Sequence, residues 1–127
     1  MNTKETGNKG ENLACEYLVK KGFKIMGRNC VLFCGEIDIV AKKKGFLKRD
    51  KTIHFIEVKT SIGLDSRGFF PEQRVDWKKQ NKYKILAETW LERNKYPQNY
   101  PCQVDIVAVS MGIEEPEIKY FENIVSE

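Results

Sequence analysis

Histidine is nearly missing from this chain: His54 is the only one in 127 residues. The four cysteines, Cys15, Cys30, Cys34 and Cys102, are scattered, not spaced as a disulfide framework. Cys30 and Cys34 resemble half of a zinc site, but no second cysteine or histidine pair completes it. Free, mostly buried thiols are the expectation. No apolar run reaches the length of a membrane span, and Met1-Asn2-Thr3-Lys4-Glu5 lacks the apolar stretch of a secretory signal. A cytoplasmic protein is therefore expected. With no internal repeat, low-complexity tract or linker, residues 1–127 read as one domain, long enough for a core of its own.

What the chain does have is lysine. The net charge is +4, from 22 basic and 18 acidic residues. Lys42, Lys43, Lys44, Lys48, Arg49 and Lys51 crowd one loop, and Lys78, Lys79, Lys82 and Lys84 crowd the start of one helix. Clustered lysines suit a phosphate backbone, although a solvated face explains the loop when it is taken alone.

The apolar pattern predicts a helix from about Thr6 to Lys21, capped by Gly22. Its arc of Leu13, Ala14, Cys15, Tyr17, Leu18 and Val19 also contains Glu11, a carboxylate on the side that should be buried. Gly7 and Gly10, near the same side, would let the helix start approach another backbone closely. Strands are predicted at 23–29, 35–43 and 52–60, the last central because it is apolar on both faces before Glu57. An irregular loop covers 61–75, and Asp76 caps a second helix to about Asn94 with a buried stripe of Tyr83, Leu86, Ala87, Trp90 and Leu91. Gln80 and Lys79 extend that stripe into the first turn, where a bound anion would be favoured. Strands at 103–110 and 117–121 complete the order αβββαββ: an α/β fold with a mixed sheet of about five strands flanked by helices.

Two of those strands carry the chemistry. In Ile53-His54-Phe55-Ile56-Glu57-Val58-Lys59-Thr60, period-2 alternation puts Glu57 and Lys59 on one face, behind Ile53 and Phe55. Gly35-Glu36-Ile37-Asp38-Ile39-Val40-Ala41 supplies an Asp within an apolar strand. Charges on a buried face must be paired or must hold a metal. An Asp, a Glu and a Lys together can hold a hard divalent cation and a water beside a phosphate, which points to phosphodiester hydrolysis. Each residue also has a plainer explanation. Glu57 and Lys59 could be an ion pair at a strand end, Asp38 could cap a turn, and Glu36 could simply be exposed. His54 points away from Glu57 and is better explained as structural. Asp105 could be salt-bridged, and Trp77 and Trp90 suit packing better than base stacking.

Helix-Glu, strand-Asp and next-strand Glu-x-Lys, in this order, resemble the core of the PD-(D/E)xK nuclease superfamily, the restriction-endonuclease-like fold. Gly7-x-x-Gly10-Glu11, Ala14, Tyr17-Leu18, Gly22, Arg28-Asn29, Gly35-Glu36-Ile37-Asp38, Phe55-x-Glu57-Val58-Lys59, Gly68-x-x-Pro71 and Lys79-Gln80 are similar to a YraN-type family of uncharacterised bacterial proteins. That family is similar in fold to archaeal Holliday junction resolvases. The resemblance implies that Asp38 and Glu57 bind Mg²⁺ or Mn²⁺, helped by the Val58 carbonyl. Glu11 would complete the acidic cluster directly or through a coordinated water, and Lys59 would orient the attacking water. Lys78, Lys79, Gln80, Lys82, Lys43 and Lys44 would meet nucleic acid. The long basic loop at 42–51, and Gln103 where the family often has an arginine-containing run, depart from the pattern away from the acidic cluster. The expected function is a metal-dependent endonuclease of DNA, including branched DNA, acting as a two-fold dimer. The alternatives are a DNA-binding module of the same fold with little catalysis, and a cytosolic interaction protein whose lysines only solubilise it.

Overall fold

The computed structural model describes residues 3–45, 50–62, 77–112 and 114–124. The chain runs α1 (Thr3–Lys20), β1 (Phe23–Leu32), β2 (Gly35–Lys43), β3 (Ile53–Ile62), α2 (Trp77–Arg93), β4 (Cys102–Met111) and β5 (Glu117–Phe121). The five strands form one sheet in the order β1-β2-β3-β4-β5. The β3–β4 pair is parallel and the other three are antiparallel. The α/β order expected from the sequence is the order found, with β3 central and β5 at an edge. The edges of several elements differ, β3 running on to Ile62 among them. Helix α1 begins three residues earlier than Thr6, and β1 continues through Asn29 to Leu32, with Asn29 at a φ of 49° inside it. Asp76, most of the 61–75 loop and the Phe46–Arg49 part of the basic loop lie outside the described residues.

Period-2 alternation builds a core on each side of the sheet. Ile53, Phe55, Val40 and Val104 meet Leu86, Ala87, Trp90 and Leu91 of α2. On the other side, Ile39, Ile56, Val107 and Val109 meet Ala14 and Leu18 of α1. Each large side chain buried this way stabilises by about 1.5–3 kcal/mol. Trp90 packs edge-on against Phe55 and stacks on Tyr96, so it is a packing residue. Val19, expected in the α1 apolar arc, is exposed instead, because one residue beyond Leu18 the helix has already turned by 100°. All four cysteines are free, three of them half-buried and Cys102 exposed. Among the described residues, no helix is long and apolar enough to cross a membrane.

Helix α1 lies very close to the sheet at one residue. A Cβ at Gly10 would sit 2.1 Å from Thr60 Oγ1 and 2.9 Å from its Cγ2, so this helix position accepts only glycine against Thr60. Gly7, by contrast, has open space around it. The close approach holds the Glu11 turn over the C-terminal end of β3. Gly10→Ala should therefore cost about 1–3 kcal/mol through overpacking. Adding Thr60→Ala should recover part of that loss. Denaturant melts of the two single variants and the double variant would show the coupling, and simple additivity would contradict it.

Candidate functional site

Strands β2 and β3 pair antiparallel from Lys42↔Ile53 to Ile39↔Ile56. One step further, the same register would set Asp38 opposite Glu57. There the ladder stops. The Val58 N–H donates to Asp38 Oδ2 at 2.8 Å, so a side chain takes the place of the backbone acceptor. Val40 and Phe55 face α2, and alternation puts Asp38, Glu57 and Lys59 on that same side. Asp38 and Glu57 line one cleft together with Glu36, Lys82, Tyr83 and Leu86. It offers about 60 Å³, enough for an ion and water beside it.

The charges in the cleft are incompletely matched. Glu57 Oε1 accepts from Lys59 Nζ at 3.3 Å. Glu57 Oε2 is buried and has no hydrogen-bond partner among the described residues. An orphaned buried carboxylate oxygen is costly, and a cation is one way to satisfy it. Burial pushes the Asp38 carboxyl above its ordinary pKa, with the Val58 N–H and the Lys59 ammonium pulling the other way. The donors on offer are carboxylate oxygens, the hard ligand set that suits Mg²⁺ or Mn²⁺. Asp38 and Glu57 therefore fit a divalent cation.

Glu11 is placed differently. It is buried, and its Oε1 accepts from Arg28 Nε at 3.2 Å and from Nη2 at 3.1 Å. Arg28 Nη2 also donates to Asn12 Oδ1 at 2.7 Å. Arg28 is paired with Ile39 in the sheet, which puts this ion pair on the α1 side, across the sheet from the cleft. Glu11, Asp38 and Glu57 do not form one group of carboxylates within 4.8 Å of one another. The burial of Glu11 was legible from the helix arc. Its arginine partner was not, because that contact spans 17 positions and two elements.

The basic residues divide by location. Lys82 lines the cleft beside Asp38 and Glu57, and Gln80 is half-buried one helical turn away from Tyr83. The side chains of Trp77, Lys78 and Lys79 lie outside the described set. Lys43 and Lys44 sit at the other end of β2 from Asp38. Lys43 pairs with Glu122 at 3.8 Å and lies over the Phe23 ring, and the Lys44 N–H donates to the Gly22 carbonyl. Val58 turns its side chain to the α1 core and its N–H to Asp38. Glu36 is exposed on the rim of the cleft.

A second polar cluster lies on the α1 side, with His54 and Asp105 fully buried and Gln103 and Tyr120 half-buried. His54 Nδ1 lies 2.6 Å from Asp105 Oδ2. The same carboxylate accepts from Tyr120 Oη, from Gln103 Nε2 at 2.8 Å and from the Asn123 N–H at 2.7 Å. These contacts tie β3, β4, β5 and the segment after β5 into one knot. Burial alone would raise the Asp105 pKa, but His54, the Asn123 N–H, Tyr120 and Gln103 together hold it below the ordinary value. The neighbouring carboxylate raises the Tyr120 hydroxyl pKa, after burial has done the same. His54 is buried on the face away from Glu57, as the alternation implied.

A depressed carboxyl pKa contributes stability that is complete above the unfolded value, about 3.9 for Asp, and is lost as pH falls through the lower folded value. Thermal unfolding should therefore show an acid limb below about pH 4. Asp105→Asn should flatten that limb and cost on the order of 3 kcal/mol at neutral pH, because His54 and Tyr120 lose their buried charged partner. An unchanged acid limb in the variant would contradict this assignment.

The model of the Uncharacterised protein family UPF0102 matches residues 10–109 of the chain. A UPF0102 protein of Dehalococcoides mccartyi is 35% identical over 127 residues, covering 99% of this chain and 97% of the relative. A UPF0102 protein of Campylobacter lari is 41% identical over 118 residues, covering 93% and 91%. One from Caldicellulosiruptor bescii is 38% identical over 109 residues, covering 86% and 85%. The matched span includes Glu11, Asp38, Glu57 and Lys59.

Proposed function

The chain belongs to the uncharacterised protein family UPF0102, and from its site we infer a metal-dependent endonuclease that hydrolyses phosphodiester bonds of DNA, branched DNA included. One observation carries this inference. Two carboxylates, Asp38 and Glu57, share a cleft at a broken ladder, Lys59 pairs with Glu57, and one buried carboxylate oxygen, Glu57 Oε2, has no partner among the described residues. The resemblance to PD-(D/E)xK nucleases and archaeal Holliday junction resolvases supports the same chemistry.

In this proposal Asp38 and Glu57 hold Mg²⁺ or Mn²⁺. The bound cation supplies Lewis acidity toward the phosphate and lowers the pKa of a water. The rest belongs to the chain. The Val58 N–H fixes the Asp38 carboxylate, so its orientation is set before substrate arrives. Lys59, held by Glu57, orients the attacking water and offsets charge developing on the phosphate. Lys82 reaches the cleft from the opposite wall and meets the negative backbone. Glu11 acts from the far side of the sheet, its charge shared with Arg28. A two-fold dimer would give two sites for two symmetry-related strands.

Purified protein with Mn²⁺ or Mg²⁺ should cut at least one of linear, single-stranded or four-way-junction DNA. Asp38→Asn and Glu57→Gln should abolish cutting and should also abolish the rise in Tm that Mn²⁺ gives the parent protein. Lys59→Ala should lose roughly 10²-fold in rate. If the parent cuts none of these substrates yet binds them, the binding-module alternative is the better account.

Binding should weaken steeply with salt. Lys82→Ala should reduce the log–log salt slope by about one contact while leaving sequence preference unchanged. Lys43→Ala, at the far end of β2, should leave cutting of linear DNA intact and alter only the choice among DNA shapes. Fluorescence anisotropy at several salt concentrations measures both, and a flat salt response would favour the interaction-protein alternative.

A further inference from the structure

The hairpin that delivers Asp38 has an unusual tip. Its two-residue turn is Phe33-Cys34, between Leu32 and Gly35, a place normally taken by Asn, Asp or Gly. Gly35, at a φ of 147°, supplies the special backbone conformation, so Phe33 is not needed to make the turn. Phe33 is 91% exposed, and Val31, two residues before it, is 69% exposed. The tip is nevertheless docked. Cys34 Sγ donates to Thr89 Oγ1 of α2 at 3.5 Å, and Leu86 lies 3.3 Å from the Cβ that Gly35 lacks. A large aromatic is thus held in water on a fixed support, where it contributes nothing to the core.

Cations flank it. Arg93 Nη1 donates to the Val31 carbonyl at 3.2 Å, and Lys82 lies against Gly35. Neither has a carboxylate partner among the described residues. The neighbouring acid, Glu36, belongs to the cleft rim. A second copy of the chain seated here across a two-fold axis would bring these cations against themselves. A nucleic acid strand would bring phosphates to the cations and a base face to the ring.

We propose that Phe33 is a stacking platform for an unpaired nucleobase, so that the cleft selects DNA with an unstacked nucleotide close to the scissile phosphate. The inference rests on the endonuclease function proposed above. Five chain positions separate Phe33 from Asp38, at most about 17 Å at 3.4 Å per residue. At roughly 3.4 Å per step along one strand, the unpaired base lies within about five nucleotides of the cut. Fully paired duplex offers no base face to the ring, whereas bulges, flaps and branch points do. Base–aromatic stacking is tolerant of sequence, so the selection is for structure.

The test uses a duplex with one unpaired 2-aminopurine and the same duplex fully paired, with the full chain in chelator so that no cutting occurs. The parent protein should quench the unpaired probe and bind that DNA more tightly than the paired one. Phe33→Ala should remove the quench and weaken binding to the unpaired DNA about 5- to 150-fold, with paired-duplex affinity unchanged. Phe33→Trp should restore both. Equal weakening on the two DNAs, or none on either, overturns the proposal. So does sedimentation showing that Phe33→Ala dissociates a dimer, since a second copy would then be what covers the ring. The two failures are separable. If no DNA is bound at all, the endonuclease function falls and takes this inference with it. If DNA is bound and cut in Mn²⁺ but Phe33→Ala behaves as the parent, only the stacking platform falls.

Discussion

The site depends on one hydrogen bond, from the Val58 N–H to the Asp38 carboxylate. A backbone amide inside a sheet must find an acceptor, and here the β2–β3 ladder gives way to a side chain. Two consequences follow. The strands stop pairing at Ile39↔Ile56, which leaves room for a cleft between them and α2. The Asp38 carboxylate is also fixed by a neutral donor, with no salt bridge among the described residues, so its negative charge remains available to a cation. Burial makes that charge costly and raises the Asp38 pKa. Glu57 Oε2, buried and without a partner among the described residues, adds to that cost. Stability is held down at this place in a way that a bound cation would relieve.

The opposite face of the sheet shows the contrast. There, His54, Tyr120, Gln103 and the Asn123 amide surround the buried Asp105 carboxylate and bond both of its oxygens. Each face carries an aspartate withdrawn from water, Asp105 fully buried and Asp38 half-buried. Asp105 is bonded to four protein groups and depressed in pKa; Asp38 accepts from the Val58 N–H and is raised by burial. Perturbed carboxylates of the second kind are where chemistry is expected, because spare ligand capacity is what a metal or substrate uses. Glu11 falls between the two: buried, but neutralised by Arg28. Its helix is brought to the sheet by the absence of a side chain at Gly10.

Element order, the central place of β3, the edge position of β5 and the shared face of Glu57 and Lys59 were all legible in the sequence. Each follows from local alternation and turn chemistry, which need no knowledge of distant residues. Asp38 and Glu57 fall on one face because period 2 operates in both strands, and the antiparallel register keeps that phase. The extension of β1 beyond Asn29 to Leu32 was missed; Asn29, the last residue of the expected strand, takes a left-handed φ that is accommodated inside the longer one. Val19 was misplaced because an apolar residue at a helix end can lie outside the contact arc.

Long-range pairing was decided by tertiary structure alone. That Glu11 would face Arg28, that His54 would meet Asp105, and that the Val58 N–H would turn to Asp38 are contacts across 17, 51 and 20 positions. Spacing along the chain carries no information about such partners, since they depend on how α1 crosses the sheet and where the β2–β3 ladder ends. The exposure of Phe33 belongs to the same class. A phenylalanine in a strand-rich stretch reads as core, and only the tight turn between Leu32 and Gly35 turns it out to water. The sequence by itself determined which residue types were available and which strand faces they occupy; the fold decided which of them are paired and which are left open to a ligand, because pairing is set by distances that only packing creates.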